Sequence, residues 1–389
     1  MSSHIIGWAH TPFGRLPQES VEDLIREVAL PAIEHAGLEP EDIDAIFIGL
    51  FNNGFLKQDF PSSLVLQVEP RLRFKPSTRL ENACATGSAA IHAALHFVES
   101  GRGRTALVIG AEKMTALSSR QAGDVLLAAS YHAEGEGSGP GGFAGVFGEI
   151  AKAYFAQHGD RSDSLARIAA KNHRNGAANP LAQIRKDLGY EFCRTVSDGN
   201  PYVAGPLRRT DCSPVSDGAA ALVIANADVA GQAPQAVRLR AAVQVNDFLP
   251  LSRRDPTRLQ GCEVAWKKAL HEAALSLNEL DLVETHDCFT IAELMEYEAM
   301  GLTRSGKGHL AIDEGWVERG GKLPVNPSGG LKAKGHPIGA TGVSMHVMAS
   351  MQLTNTAADL QIPNALRAGV FNMGGTGVAN YVSILERSR

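Results

Sequence analysis

The sequence is poor in the features that mark disulfide-rich, zinc-binding and membrane proteins. Five cysteines occur among 389 residues, without paired C-x-x-C spacing, so we expect reduced thiols rather than disulfides or a metal site. No apolar run approaches the length of a membrane helix, and the first residues lack the charged-then-apolar pattern of a signal peptide. The C-terminal E-R-S-R is not a peroxisomal address. These absences lead us to expect a cytoplasmic protein that does not span a membrane.

Clusters of basic charge are also absent from the sequence. The formal net charge is −5, and no stripe or block of Lys and Arg is present, which argues against nucleic acid as a partner. Hydrophobic residues make up 44% of the chain and charged residues 20%, which are the values of a globular protein. A chain of this length exceeds one ordinary domain and can bury a large core.

The most informative segment that is present is E-N-A-C-A-T-G-S, which places Cys84 at the start of a helix. Small residues surround the thiol, and apolar residues follow at helical spacing: Ile91, Ala94, Leu95 and Val98. The positive end of the helix dipole and the free amides of the first turn favour a thiolate, and the lack of bulk leaves room for a carbonyl substrate. A free cysteine is often only a small core residue, so this segment alone leaves both interpretations open.

A second unusual segment is N-P-S-G-G-L-K-A-K-G-H-P-I-G-A-T-G (326–342). Its five glycines and two prolines predict a tight turn before a helix that runs through His346 and Met351. His336 lies between Gly335 and Pro337, where neither neighbour shields its ring. A histidine in such a turn, in a chain with a matching cysteine turn, is a candidate base or oxyanion donor.

A third segment, V-E-T-H-D-C-F-T, places His286 and Cys288 at the end of a short apolar strand that includes Leu282 and Val283. Alternate residues of a strand point to the same side. We therefore predict that this imidazole and this thiol face one cavity.

Together these three segments resemble those of the thiolases, and H-D-C-F resembles the sterol-carrier-protein-type branch of that family. In that branch the second cysteine lies within H-D-C-F, whereas ordinary thiolases carry it in a C-terminal C-x-G-G turn and have N-E-A-F in place of H-D-C-F. The C-terminal turn of this chain reads F-N-M-G-G-T-G, with Phe371 assigned to the position of that cysteine. The resemblance runs through nearly the whole chain, including K-N-H-R-N-G-A-A-N-P and C-S-P-V-S-D-G-A-A-A-L-V-I.

The resemblance implies an acyl-CoA C-acyltransferase. Such an enzyme cleaves 3-oxoacyl-CoA to acetyl-CoA (or propionyl-CoA) and a shortened acyl-CoA, or runs the reverse Claisen condensation. Cys84 would carry the acyl group, His336 would activate it, and Cys288 would exchange the α-proton. His286 and His336 would form one oxyanion hole. Coenzyme A would be a substrate, with no permanently bound cofactor.

The resemblance also implies a second oxyanion hole and an oligomer. Backbone N–H groups of Cys84 and of Met373 or Gly374 would form that hole, and the protein would be a homodimer or a dimer of dimers. We predict that Thr105–Gly110 is an edge strand that pairs with its twin, which would cover an exposed sheet edge. The glycine-rich loop Gly135–Gly148 would border the active site.

A weak internal duplication indicates the architecture. Gly37–Gly49 and Ser276–His286 share one pattern: a helix end, an acidic turn and an apolar strand. The Cys84 turn and the His336 turn are likewise each followed by a helix. With the resemblance, this predicts an α/β thiolase fold of two βαβαβαββ halves in a five-layered α-β-α-β-α core. Buried strands are predicted from the apolar runs 105–112, 219–226, 370–372 and 378–385. The predicted domains are an N-terminal half (1–113 and 211–232), an inserted loop domain (114–210) and a C-terminal half (233–389).

The inserted segment contains a misleading glycine pattern. G-S-G-P-G-G (137–142) fits the G-x-G-x-x-G dinucleotide motif, but it follows no strand and contains a proline, so we interpret it as a loop beside the acyl pocket. Cys212 is interpreted as a buried structural thiol, and Cys193 and Cys262 lie in no motif. Seven basic residues are interpreted as a solvated face, some of which could meet the phosphates of coenzyme A: Lys171, His173, Arg174, Arg185, Lys186, Arg208 and Arg209.

Three alternatives remain open at the level of sequence. A ketoacyl-synthase-type condensing enzyme shares the fold and a cysteine nucleophile, but it pairs the nucleophile with His/Asn or His/His and would not need Cys288. An acyltransferase with a non-CoA acceptor could keep every motif. A non-catalytic lipid- or acyl-CoA-binding protein of this fold would have lost catalytic residues, whereas Cys84, His286, Cys288 and His336 are all present.

Overall fold

The computed structural model describes residues 3–137, 139 and 141–388. The helices, apart from short 3-10 turns, are α1 (Val21–His35), α2 (Pro61–Val68), α3 (Thr86–Glu99), α4 (Ser119–Leu126), α5 (Gly142–His158), α6 (Ser162–Ala177), α7 (Gly189–Arg194), α8 (Ala227–Ala230), α9 (Gln260–Ala273), α10 (Thr290–Ala299), α11 (His309–Asp313), α12 (Gly330–Lys334) and α13 (Ile338–Leu353). The strands are β1 (His4–His10), β2 (Ala45–Gly49), β3 (Ser77–Leu80), β4 (Thr105–Lys113), β5 (Tyr202–Ala204), β6 (Leu207–Arg208), β7 (Asp217–Ala225), β8 (Val237–Asn246), β9 (Leu282–Glu284), β10 (Arg367–Gly374) and β11 (Ala379–Arg387).

The two halves repeat one strand order, which confirms the predicted duplication. The first half runs β3-β2-β4-β7-β1 and the second runs β9-β10-β11-β8. In each, a parallel pair (β2 with β4, β9 with β10) is followed by antiparallel neighbours, and the first half has a second parallel pair, β2 with β3. The counterpart of β3 in the second half is shortened to a single parallel bridge between Val283 and Val325. Two residue pairs between β1 and β8 join the halves into one nine-stranded sheet within the described part of the chain.

The layers follow from which helix covers which strands. Helix α1 begins with a capping box between Ser20 and Asp23, and it packs on β1, β4 and β7. Helices α3 and α13 pack against each other between the strands of the two halves, and α9 covers β8 and β11 on the far side. The order is therefore α-β-α-β-α, as predicted.

The crossing of α3 and α13 is close enough to exclude side chains. A Cβ added to Gly87 would lie 2.8 Å from the backbone nitrogen of Val343 and 2.9 Å from that of Gly342. A Cβ added to Gly342 would lie 2.4 Å from the backbone nitrogen of Ser88. Glycine at these positions lets the two helix starts, each next to a predicted catalytic turn, approach to backbone contact.

The prediction that Thr105–Gly110 is an edge strand is wrong. This segment lies in β4, which pairs in parallel with β2 and antiparallel with β7, and all nine residues of β4 are buried. A run that is apolar on both faces is typical of an interior strand. The edge of the first half is β3, which pairs only with β2 among the described strands.

The chain between β4 and β7 carries helices α4 to α7 and the small sheet of β5 and β6. Helix α6 is largely buried and packs on α10, α11 and α12 of the second half. The predicted loop Gly135–Gly148 is helical from Gly142 onward, and Ser138 and Pro140 of the G-S-G-P-G-G pattern lie outside the described residues. The predicted domain boundaries stay predictions. In the described part of the chain, no helix is long and apolar enough to cross a membrane.

Candidate active site

The Cys84 turn is held in a sharp, unusual conformation just before α3. Ala83 has a positive φ of 49°, a conformation that is costly for a residue with a Cβ and is concentrated at functional sites. The Thr86 hydroxyl donates to the Ala83 carbonyl at 2.6 Å and accepts from the Asn82 amide at 2.9 Å. These bonds fix Cys84, which is 5% exposed, two residues before the first residue of α3.

The His336 turn links α12 to α13 and orients its imidazole. The His336 amide donates to Ser216 Oγ at 3.0 Å. The ring Nδ1 lies 2.6 Å from Thr341 Oγ1, whose hydroxyl donates to the Pro337 carbonyl at 2.9 Å. Because that hydrogen is used, the Thr341 oxygen accepts from Nδ1–H. The lone pair of His336 therefore lies on Nε2, which is buried and has no hydrogen-bond partner among the described residues.

His286 and Cys288 lie in the segment between β9 and α10, not in a strand as the spacing predicted. The Cys288 carbonyl accepts from the Ser213 amide at 2.9 Å. Asp287 between them accepts from the Leu331 and Lys332 amides at 2.6 and 3.1 Å. The intervening carboxylate thus ties H-D-C-F to the first turn of α12, which precedes the His336 turn.

The structure brings the four predicted catalytic residues together. Cys84 Sγ and one ring nitrogen each of His286 and His336 lie within 4.8 Å of one another. The two imidazoles meet edge to face, with centroids 5.1 Å apart. Cys288 lines the same cavity as Cys84 and His336. The spacing of Cys84, His286 and His336 would also suit a soft divalent cation, and the expectation of no metal stays a prediction.

Burial sets the protonation states of the resting site. It raises the pKa of the Cys84 thiol to about 12, although backbone N–H groups of Gly375 and Cys84 act in the opposite direction. Burial therefore opposes the thiolate that the helix start is predicted to favour, and the thiolate stays a prediction. Burial lowers the pKa of His336 to about 3 and that of His286 well below its usual value. It raises the pKa of Cys288 well above the usual value.

The glycine turn after β10 meets the Cys84 turn through its backbone. A Cβ added to Gly374 would lie 2.5 Å from the Asn82 carbonyl oxygen and 3.5 Å from the Ala83 Cβ. The backbone N–H of Gly375, one residue beyond the predicted pair Met373 and Gly374, is one of the two that act to lower the pKa of the Cys84 thiol. The oxyanion role of Met373 and Gly374 stays a prediction, to which the structure adds Gly375 as a donor that the sequence analysis missed.

The cavity beside Cys84 is mostly apolar. Cys212, predicted to be a buried structural thiol, is only half-buried and lines this cavity. Gly141 lies on the wall as well, so the end of the glycine pattern borders the pocket. The large apolar side chains on the wall are Phe51, Met114, Leu126, Phe143, Val203, Phe289 and Ile338.

The interpretation of seven basic residues as a solvated face is wrong for three of them. Lys171 and Arg208 are buried in ion pairs with Glu293 (2.8 Å) and Asp211 (2.9 Å), and His173 is 1% exposed. Sequence could not show this, because the carboxylate partner of Lys171 lies on another helix, α10. The exposed members are Arg174, Arg185, Lys186 and Arg209.

Comparison with known proteins agrees with this fold. Residues 3–188 match the thiolase N-terminal domain, and residues 243–387 match the family described as thiolase C-terminal domain-like. The chain is 36% identical over 391 residues to the acetyl-CoA acetyltransferase of Methanothermobacter thermautotrophicus, covering 98% of this chain and 99% of that protein. It is 32% identical to sterol carrier protein 2 of Oryctolagus cuniculus, covering 78% and 57%.

The fold is shared with solved structures as well. The Ltp2-ChsH2(DUF35) aldolase superposes with a TM-score of 0.84 at 22% identity, covering 100% of this chain and 98% of that one.

The fold and the sequence relatives together define an acyltransferase enzyme. The chain belongs to the thiolase family.

Proposed function

We propose that the protein transfers an acyl group between a 3-oxoacyl-CoA and coenzyme A through an acyl-enzyme on Cys84. One observation carries the proposal. A nucleophilic thiol (Cys84), an imidazole with a free lone pair (His336) and a second thiol (Cys288) line one cavity. Coenzyme A acts as a substrate, and no cofactor is permanently bound.

In the first half-reaction, His336 Nε2 takes the proton of the Cys84 thiol, and the thiolate attacks the 3-keto carbon of the substrate. The bond between C2 and C3 then breaks, and its electron pair becomes the enolate of acetyl-CoA. Cys288, whose raised pKa keeps it a thiol, gives its proton to C2. Acetyl-CoA leaves, and the shortened acyl chain remains on Cys84.

In the second half-reaction, the Cys288 thiolate takes the proton of an incoming coenzyme A thiol. The sulfur of coenzyme A attacks the Cys84 thioester, and Cys84 leaves as a thiolate that His336 reprotonates. All three residues return to their neutral states. Condensation is the reverse sequence, in which Cys288 removes the α-proton of acetyl-CoA.

Two sets of donors support these steps. The amides of Cys84 and Gly375 act on the Cys84 thiol and would, with those of Met373 or Gly374, stabilise the tetrahedral intermediate. His286, together with His336 once it is protonated, would stabilise the enolate oxygen. Donors of this kind are typically worth about 10²- to 10³-fold in kcat.

The cavity wall supports an apolar acyl group as the variable part of the substrate. Aromatic and aliphatic side chains dominate the wall beside Cys84, and burying such a chain is favourable by about 25 cal/mol per Å² of apolar surface. Of the basic residues considered for coenzyme A phosphates, the exposed ones remain as candidates: Arg174, Arg185, Lys186 and Arg209.

The test is thiolysis of a panel of 3-oxoacyl-CoA esters with linear, branched and steroid-like acyl groups, combined with peptide mass spectrometry after exposure to acyl-CoA alone. We expect coenzyme A-dependent cleavage and the acyl mass on Cys84. Cys84→Ala should lose both. Cys262→Ala is the matched control, because Cys262 is fully buried in α9 and is absent from the cavity wall.

The outcomes separate the alternatives. Acylation of Cys84 without cleavage of any 3-oxoacyl-CoA would favour a condensing enzyme or an acyltransferase with another acceptor. Binding of acyl-CoA without acylation would favour a lipid-binding protein. An acyl group on Cys288 or Cys193 would reverse the assignment of the nucleophile.

We also propose that the protein is a homodimer or a dimer of dimers. The free edge strand β3 immediately precedes the Cys84 turn, and Phe74 just before it is 85% exposed, so an interface there would cover both. Light scattering at assay concentration should give at least a dimeric mass. A fully active monomer would contradict this proposal.

A further inference from the structure

The side chain of β10 that reaches the catalytic centre is Asn372. Phe371, the predicted counterpart of the second cysteine, is fully buried on strand β10 in the apolar core. Asn372 Nδ2 lies 3.1 Å from the Cys84 carbonyl oxygen and 2.9 Å from His286 Nδ1. Its Oδ1 accepts from Ser88 Oγ at 2.8 Å. One side chain thus connects α3, the nucleophile turn and the H-D-C-F segment.

These contacts fix which way the Asn372 amide points. The Cys84 carbonyl can only accept a hydrogen bond, so the atom facing it must be the NH₂ group. The same nitrogen faces His286 Nδ1, and its second hydrogen is available for that atom. Nδ1 therefore accepts, and in a neutral imidazole the proton then lies on Nε2.

The surroundings of His286 agree with a neutral donor. The ring is fully buried and sits edge to face with His336, so a charged imidazolium would be costly. Its Nε2 has no hydrogen-bond partner among the described residues. A buried N–H without a partner is unfavourable unless a ligand accepts from it. His336 offers the opposite group, a lone pair on Nε2.

We propose that Asn372 is a positioning residue that holds His286 as the tautomer with its proton on Nε2, so that His286 donates a hydrogen bond to a substrate oxygen and does not act as a base. This inference rests on the proposed function, because it assigns a role to His286 within that site. The oxygen concerned is the one that becomes negative when acetyl-CoA is an enolate.

The first test measures the tautomer directly. In protein labelled with ¹⁵N-histidine, the wild-type His286 nitrogens should report a proton on Nε2 and none on Nδ1, with the signal assigned by His286→Gln. Asn372→Asp keeps the size of the side chain but replaces the donor by an acceptor. Its carboxylate should draw the proton to Nδ1, and the two ¹⁵N shifts should exchange or both become those of a protonated ring.

The second test measures the two half-reactions separately. In Asn372→Asp, carbon–carbon cleavage should fall about 10²- to 10³-fold, the usual effect of losing one oxyanion donor, while acylation of Cys84 by a saturated acyl-CoA should change less than about tenfold. Ser88→Ala is the matched control, since it removes the contact to Oδ1 and leaves Nδ2 in place. It should keep the wild-type tautomer and most of the cleavage rate.

Three results would overturn the inference. One is a proton on Nδ1 in the wild type, and another is an exchanged tautomer in Asn372→Asp with unchanged cleavage. The third is a proportional loss of both half-reactions with an unchanged tautomer. If Asn372→Asp does not fold, Asn372→Ala replaces it and should show a mixture of tautomers. Absence of thiolase activity in the wild type would refute the proposed function but not the tautomer measurement.

Discussion

The close crossing of α3 and α13 allows a quantitative test of how the fold aligns the site. In Gly87→Ala the new methyl group would lie 2.8 Å from the backbone nitrogen of Val343 and 2.9 Å from the backbone oxygen of Gly339. Ordinary van der Waals contacts of a Cβ begin near 3.4 Å. All of these neighbours are backbone atoms, so no side chain can rotate away. The helices must separate by about half an ångström.

This separation should cost both stability and activity. Overpacking of a filled core typically costs about 1–3 kcal/mol. For a chain of this size we expect a fall in Tm of roughly 1–4 °C. Since α3 carries the Cys84 turn and α13 carries the His336 turn, their displacement also misaligns nucleophile and base. A misplacement of 1 Å can cost about 100-fold in rate, so we expect roughly a tenfold loss of kcat.

The assay pairs thermal unfolding with single-turnover acylation of Cys84. Gly320→Ala is the control, because a Cβ there would meet no atom within 4 Å. It should leave Tm and acylation unchanged, or raise Tm slightly through the stiffer unfolded chain. Wild-type Tm and acylation in Gly87→Ala would refute the argument that backbone contact between these helices sets the geometry of the site.

Two further predictions concern the thiols. Burial raises the pKa of Cys84 to about 12, so the rate at which iodoacetamide alkylates Cys84 in the free enzyme should rise about tenfold per pH unit from pH 6 to 9. The rate is measured on the Cys84 peptide. A plateau near pH 7 would instead mean a resting thiolate–imidazolium pair. Cys288→Ala should leave Cys84 acylation largely intact and reduce carbon–carbon bond formation and cleavage about 10²- to 10⁴-fold, and near-normal turnover in both directions would reduce Cys288 to a buried thiol.

Much of the fold follows from local sequence patterns. The apolar run 105–112 became β4, and the helices after Cys84 and His336 became α3 and α13. These predictions succeed because hydrophobic periodicity and glycine-rich turns act locally. Which strands pair with a given strand depends on segments that are distant in the sequence. The predicted edge position of Thr105–Gly110 is wrong for that reason.

The same distinction between local patterns and contacts of distant segments applies to the candidate site. Cys84, His286, Cys288 and His336 stand in turns with distinctive composition, so the sequence revealed them. Asn372 is not among the predicted site residues, although the C-x-G-G spacing places it, and not Phe371, at the position of the second cysteine. The difference matters because a shift of one residue on a strand reverses the face that a side chain occupies. The hydroxyl acceptor for His336 on α13 and the burial of Lys171 depend on contacts between distant segments, for which one sequence carries no signal.

Burial favours the neutral forms of both thiols and both imidazoles in the resting site, and this has a consequence for the proposed reaction. Burial raises the pKa of both thiols and lowers that of both imidazoles, so no ion pair has to be desolvated when an apolar acyl chain enters. In the proposed reaction, charge arises only as the reaction proceeds, first on sulfur and then on the enolate oxygen. Of the proposed donors, the Gly375 amide favours a negative charge on Cys84, and the His286 Nε2–H would act on the enolate oxygen only when that charge forms. Stabilisation of that kind lowers the barrier rather than the substrate ground state.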